Sequence, residues 1–208
     1  MWDESDVEVA IDEVYQRHLV QPLESEDAFY YQIHPLIREF LQVKLQASAL
    51  RNELIQAFTN TFIEIAQTIH YGATLEFLNF VKNAIPHLTE VVENQLDAVS
   101  DENLYWPFIG LARFYDGQGL YSLAEPWHKQ CLSAVRSRLG DNHPDTAMSL
   151  NNLANLYFSQ GRYSEAEPLY IQAVEIVERV LGENHPLRKI IRNNFEDFRK
   201  KQGESGNQ

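Results

Sequence analysis

Leu111-Ala112-Arg113-Phe114-Tyr115 returns 42 residues later as Leu153-Ala154-Asn155-Leu156-Tyr157. The same offset carries Gly119-Leu120-Tyr121 to Gly161-Arg162-Tyr163 and Ala124-Glu125-Pro126 to Ala166-Glu167-Pro168. Leu139-Gly140 returns as Leu181-Gly182, and His143-Pro144 as His185-Pro186. A third copy begins, with Asn151-Asn152-Leu153 repeated as Asn193-Asn194-Phe195 and Gly161 as Gly203. A fixed period of this length constrains the fold strongly. One unit is too small to bury its own apolar face, so successive units must stack and share a core.

Each unit reads as two helices. Apolar residues at 147, 150, 153, 154, 156 and 157 follow helical spacing and predict a first helix over 145–160. Gly161 falls where a left-handed turn can end it. Ser164 with Glu167 three residues on has the form of a capping box, which predicts a second helix starting near Ser164 with Pro168 in its first turn. Ala166 and Ala173 are small where two helices must approach closely. Leu181-Gly182 ends the second helix, and Asn184-His185-Pro186 turns the chain into the next unit.

Leu153, Ala154, Tyr157, Gly161, Tyr163, Ala166, Tyr170 and Ala173 together resemble the tetratricopeptide repeat (TPR) family. The 42-residue length with Leu-Gly-x-x-His-Pro is similar to the longer subtype found in kinesin light chains and many bacterial multidomain regulators. The resemblance implies an all-α protein, a right-handed solenoid of helical pairs whose first helices line a concave groove. It places a first repeat at 104–144 and a second at 145–186. Residues 187–203 become a degenerate third repeat or capping helix, because Glu196 stands at the slot of Ala154. Residues 204–208 are expected to be a disordered tail.

Upstream, residues 48–103 read as irregular helical pairs without the 42-residue register: Leu50 to Ile69, 74–84, and His87 to Val99 after Pro86. Residues 1–47 differ. Val7 to Leu19 is helical in pattern, and a helix is expected from Pro35 through Leu45. Between them, Val20-Gln21-Pro22-Leu23 and Phe29-Tyr30-Tyr31-Gln32-Ile33 flank the polar Glu24-Ser25-Glu26-Asp27, which predicts a β-hairpin. Helix, hairpin and His34-Pro35-Leu36-Ile37-Arg38-Glu39-Phe40-Leu41 resemble the end of the winged-helix domain of STAND-class (NB-ARC-type) signalling NTPases. That resemblance implies a regulatory sensor docking on an NTPase in cis or in trans. The chain itself has no Gly-x-x-x-x-Gly-Lys-Ser/Thr to cradle a triphosphate.

Charge and composition narrow the function. The net charge of −13 is concentrated upstream: residues 1–47 carry 10 acids and 3 bases, residues 48–103 carry 8 and 2, and residues 104–208 carry 12 of each. Nucleic acid binding needs a concentrated basic surface. The candidate, Arg188, Lys189, Arg192, Arg199, Lys200 and Lys201, reads as the solvated face of a last helix. No stretch is apolar enough to span a membrane. The acidic start at Met1-Trp2-Asp3-Glu4 and the single Cys131 fit a cytoplasmic, reducing setting. The histidines form no His-Glu-x-x-His pattern, and His143 and His185 share one linker slot, so a turn role is expected rather than a metal site. Cys131 aligns with Ala173 and is expected in a tight inter-helix slot, not as a nucleophile. No nucleophile, base and orienter set emerges. The expectation is a non-enzyme without cofactor or metal.

The positions that the resemblance exposes in the groove are Trp106, Ile109 and Arg113 in the first unit, and Met148, Asn151, Asn155 and Phe158 in the second. In the third they are Ile190, Asn193 and Asp197. Asn155 falls at the slot where peptide-holding family members often carry asparagine, whose amide can both donate to and accept from a peptide backbone. Arg113 could pair a carboxylate of the ligand. The lysine clamp of chaperone-binding members is absent, since Ile109 holds its first slot. The alternative reading of the asparagines is consensus inter-helix hydrogen bonding. The partner is therefore expected to be a protein or extended peptide with an acidic feature. Asn155→Ala with Arg113→Ala is expected to weaken capture with little effect on melting temperature. Ile190, Ile191, Phe195 and Phe198 form an apolar flank that must meet the preceding helix pair or another chain, so self-association stays open.

Overall fold

The computed structural model describes residues 20–23, 30–33 and 43–205. The chain divides into two compact units, 1–54 and 55–208. In the first unit, β1 (Val20–Leu23) pairs antiparallel with β2 (Tyr30–Ile33), Val20 opposite Ile33 and Leu23 opposite Tyr30. The helix expected over 7–19 lies outside the described residues, as do residues 35–42 of the one expected from Pro35 through Leu45; residues 43–46 are helical.

The second unit is helical. Its first helices are α1 (Arg51–Thr68), α2 (Leu75–Val81) and α3 (Ile85–Asn94). Then come α4 (Tyr105–Asp116), α5 (Tyr121–Leu139), α6 (Pro144–Ser159), α7 (Tyr163–Val180) and α8 (Pro186–Ser205). Each helix from α3 to α8 packs on the next, and α4 also touches α6 as α6 touches α8. The small residues of the 42-residue pattern explain this packing. Ala112 and Ala154 are fully buried at equivalent places, as are Ala124 and Ala166, and Cys131 and Ala173. A larger side chain at any of these slots would push a helix off its neighbour.

The turns repeat as well. Gly119 and Gly161 adopt φ of +71° and +73°, a conformation that a side chain disfavours. His143 and His185 play one role in successive linkers. Each Nδ1 accepts a backbone N–H at the start of the next helix, from Asp145 and Leu187, both at 3.2 Å.

Several details depart from the sequence reading. No side-chain cap forms at Ser164: α7 starts at Tyr163, with Arg162 in the capping place. Arg162 instead bridges Glu125 and Glu165, each at 2.7 Å, and covers the Tyr157 ring. Pro168 thus lies in the second turn, where its missing N–H leaves a carbonyl of the preceding turn without its helical donor. Helix α3 starts at Ile85, with Pro86 in its first turn, and gives way to short 3-10 turns after Asn94. Arg138 of α5 clasps that stretch through Leu96 O, Val99 O and Asp101. Gly203 is not a turn: α8 continues through it, and Glu204 and Ser205, expected in the tail, are helical.

Helix α8 packs on α6 and α7. Ile191 and Phe198 are fully buried against α6 and α7. Phe195 and Phe198 join Tyr170, Phe158 and Tyr163 in one aromatic cluster. Of the expected apolar flank, Ile190 stays about half exposed, at 49%.

Candidate functional site

Helix α6 touches both α4 and α8. A chain of amides ties them in register: Asn194 donates to Asn151, Asn151 to Asn152, and Asn152 to the Tyr105 hydroxyl. This chain crosses α8, α6 and α4 in turn. Buried polar groups need partners, and these asparagines supply each other.

Two expected groove residues are consequently interior. Asn151 is 2% exposed with its amide consumed by the ladder. Ile109 is fully buried in the core between α1, α4 and α5. Asn194 of α8 covers Asn151, and residues of α1 and α5 pack with Ile109. Trp106 and Met148 are half-buried and packed on the same core. Phe158 is half-buried against Tyr163 and Phe198. Asn193 and Asp197 are exposed on α8, and Asp197 pairs with Lys200 at 3.5 Å.

The remaining two, Arg113 and Asn155, meet at a cleft of about 270 Å³ between the C-terminal halves of α4 and α6. Asp116, Gly117, Asn152, Leu156 and Ser159 complete its helical walls, with Tyr71 and Tyr121 also lining it. Arg113 donates from Nη1 to the Ile69 carbonyl at 3.0 Å, and its guanidinium lies 4.6 Å from the Tyr71 ring centre. Desolvation pushes the Tyr71 hydroxyl up to about 12, against the opposite pull of Arg113. Asn155 Oδ1 accepts from the Tyr170 hydroxyl, which leaves the NH₂ end of that amide. Asp116 Oδ2 accepts from His128 Nε2 at 2.9 Å, and His128 is 1% exposed.

Asp116 and His128 escaped the sequence reading although the period points to both. They stand 42 residues before Phe158 and Tyr170. Tyr71 belongs to a segment without the register and carried no signal. Cys131 is fully buried, its Sγ 3.3 Å from Ser149 Oγ, and burial pushes the thiol up to about 12. Among the described residues no group of acidic, histidine and cysteine side chains could hold a metal ion. Among them, too, no helix is long and apolar enough to cross a membrane.

Residues 109–145 and 146–187 each match the tetratricopeptide repeat model. Residues 109–187 are thus similar to two tetratricopeptide repeats in succession. TPRs generally mediate protein–protein interaction and are typically non-catalytic. Among solved structures, two crystal structures of a Podosopora anserina kinesin light chain with nearly identical TPR-like repeats are similar. One, a point variant, aligns with a TM-score of 0.53 at 23% identity over 69% of this chain and 66% of that one. The other gives 0.51 at 22% identity over 81% and 84%. At such identity the likeness speaks to the TPR fold alone. No curated protein matches the chain.

Proposed function

We propose that the chain is a non-catalytic scaffold that holds an extended segment of a partner protein along α4, α6 and α8. The observation that carries this reading is the open cleft between α4 and α6. Asn155 offers its NH₂ there, and the exposed Asn193 and Asp197 extend the same row onto α8. Extended peptides leave their backbone amides unpaired, and side-chain amides can pair them without reading sequence. Half-buried Trp106, Met148 and Phe158 add apolar surface for anchoring.

Arg113 was expected to choose an acidic feature of the partner. Its engagement with Ile69 and Tyr71, and Asp116 one turn on, make an acidic partner the weaker choice. The double variant Asn155→Ala with Arg113→Ala also loses bonds to Tyr170 and Ile69, so its melting temperature should fall. A cleaner test pans a displayed library of random extended peptides on the full chain. Binding of the hits is then measured for Asn193→Ala and Asn155→Ala, with Lys129→Ala on α5 as control. Losses confined to the α6 and α8 variants support the groove. Absence of any captured peptide, or equal loss in the control, refutes it.

A second reading, a sensor part of a STAND-type signalling protein in a bacterial cytoplasm, rests on the sequence resemblance of residues 1–47. Co-purification with an NTPase supplied in trans tests it. Self-association through Ile190 on α8 predicts a concentration-dependent mass in sedimentation.

A further inference from the structure

We infer that the outer face of α1 and α3 is a second docking surface, one that takes an arginine-bearing basic segment of a partner protein. It stands apart from the α4–α6 cleft and does not depend on the groove reading.

The surface is built from rings. Phe58 and Phe62 lie one turn apart on α1 with centroids 4.8 Å apart, and His87 of α3 lies 4.7 Å from Phe62 and 6.0 Å from Phe58. Ile63, Val91 and Val99 form the buried floor beneath the phenylalanines. Water reaches the other side: Phe58 and Phe62 are half-buried, and His87 is exposed. Phe80, near the end of α2 and one 3-10 turn before α3, is 81% exposed and meets the Phe77 ring at 6.5 Å. Grouped aromatic side chains left in water mark binding surfaces, because their burial is favourable and the fold itself has not provided it.

Charge selects the occupant. Glu90 stands one turn beyond His87 on α3, Glu93 follows it, and Glu76 precedes Phe80 on α2. All three are exposed, and none has an ion pair among the described residues. Residues 48–103 carry 8 acids and 2 bases. Phosphate, whether of nucleic acid or of a lipid headgroup, is repelled by such a surface. A wholly apolar partner would strip water from the carboxylates and return nothing. A cationic segment satisfies the rings and the acids together.

Among cations, arginine fits best. Its planar guanidinium stacks on a ring face and pairs with a carboxylate at the same time, whereas an ammonium is a compact charge that holds its water. The chain makes this arrangement elsewhere: Arg162 lies 4.0 Å from the Tyr157 ring centre while it pairs with Glu125 at 2.7 Å. A second copy of the chain is a poor source of it. On its basic helix α8, Arg188 and Arg192 face Glu178 at 4.0 and 3.7 Å, and Arg199 lies over the Phe195 ring.

The test is fluorescence anisotropy of the full chain with a labelled amphipathic peptide of arginine, leucine and alanine, beside its lysine and glutamate counterparts. The arginine peptide should bind about ten-fold more tightly than the lysine peptide, and the glutamate peptide should not bind. Glu90→Gln with Glu93→Gln should weaken the arginine peptide about ten-fold. The charge-matched control, Glu175→Gln with Glu183→Gln, should change it less than about two-fold. Phe62→Leu with His87→Leu keeps apolar surface but removes the rings, and should bring the arginine peptide down to the lysine level. Phe80→Ala with His87→Ala, both at exposed positions, should narrow the same gap and serves if the leucine variant does not fold. No binding of the arginine peptide, equal binding of the lysine peptide, or a control loss as large as that of the α3 variant overturns the surface. So does a loss with Asn193→Ala, which would place the peptide in the groove. A concentration-dependent mass that Glu90→Gln with Glu93→Gln abolishes also overturns it, since the occupant would then be a second copy.

Discussion

Adding one methyl group at Gly110 should part α1 from α4. A Cβ at Gly110 would stand 2.6 Å from the Ala66 Cβ and 3.0 Å from its Cα. Carbon atoms in contact prefer about 3.5–4.0 Å, so the helices would have to separate by roughly 1 Å. The obstacle is a methyl group and backbone, which cannot rotate away. Overpacking of this kind costs typically about 1–3 kcal/mol, and the rigid contact argues for the upper end. Against it stands the gain of about 1 kcal/mol when alanine replaces glycine inside a helix. Gly110→Ala should therefore destabilise by about 2 kcal/mol. Ala66→Gly alone should cost about 1 kcal/mol in helix propensity and about 0.8 kcal/mol for the lost buried methyl. In the double variant the propensity changes cancel and the contact between the two methyl groups is gone, which leaves only the tighter-than-usual approach of 3.0 Å to the residue 66 Cα. It should sit within about 1 kcal/mol of wild type, giving a coupling near ~3 kcal/mol. Urea unfolding followed by circular dichroism and by the fluorescence of Trp106, which packs on the same core, measures all four proteins. A Gly110→Ala protein more stable than wild type, or strictly additive single effects, would refute the close approach.

Three further outcomes follow from the packing and electrostatics. Phe198→Ala removes a fully buried ring from the aromatic cluster and should lower stability by about 3–5 kcal/mol in the same urea assay. Glu125, held by Arg162, Lys129 and Tyr157, has its carboxyl lowered from 4.5 to about 2. A group lowered on folding stabilises above its unfolded value and loses that contribution as pH falls toward the folded one. Acid unfolding should therefore lose about 1 kcal/mol, discounted for solvent screening, between pH 4.5 and about 2, and Glu125→Gln should flatten that slope. Cys131, fully buried with its thiol raised to about 12, should react with Ellman's reagent at about pH 8 only as fast as the chain opens. An immediate full reaction would place it at the surface.

The period exposed the buried alanines, the left-handed glycines and the linker histidines, because each is a local demand that recurs 42 residues on. The cap at Ser164 misled, since a matching pattern of side chains does not ensure the bond; Arg162 found two carboxylates and took the turn instead. The groove register named Arg113 and Asn155, which do line the cleft. It also named Asn151 and Ile109, which do not, because exposure on one helix depends on how closely the next first helix approaches. That distance is set by contacts far apart in sequence, such as Asn194 on Asn151. Tyr71 reaches the cleft from a segment with no repeat to align it.

The matched glycines at 119 and 161 and the matched histidines at 143 and 185 make the joints of this stack interchangeable. A gene duplication that copies one whole block between two such joints adds a rung in correct register and leaves every existing contact in place. Reach along a partner can thus lengthen in a single genetic step, and new residues facing the partner can be tried afterwards on a rung that the old ones do not depend on.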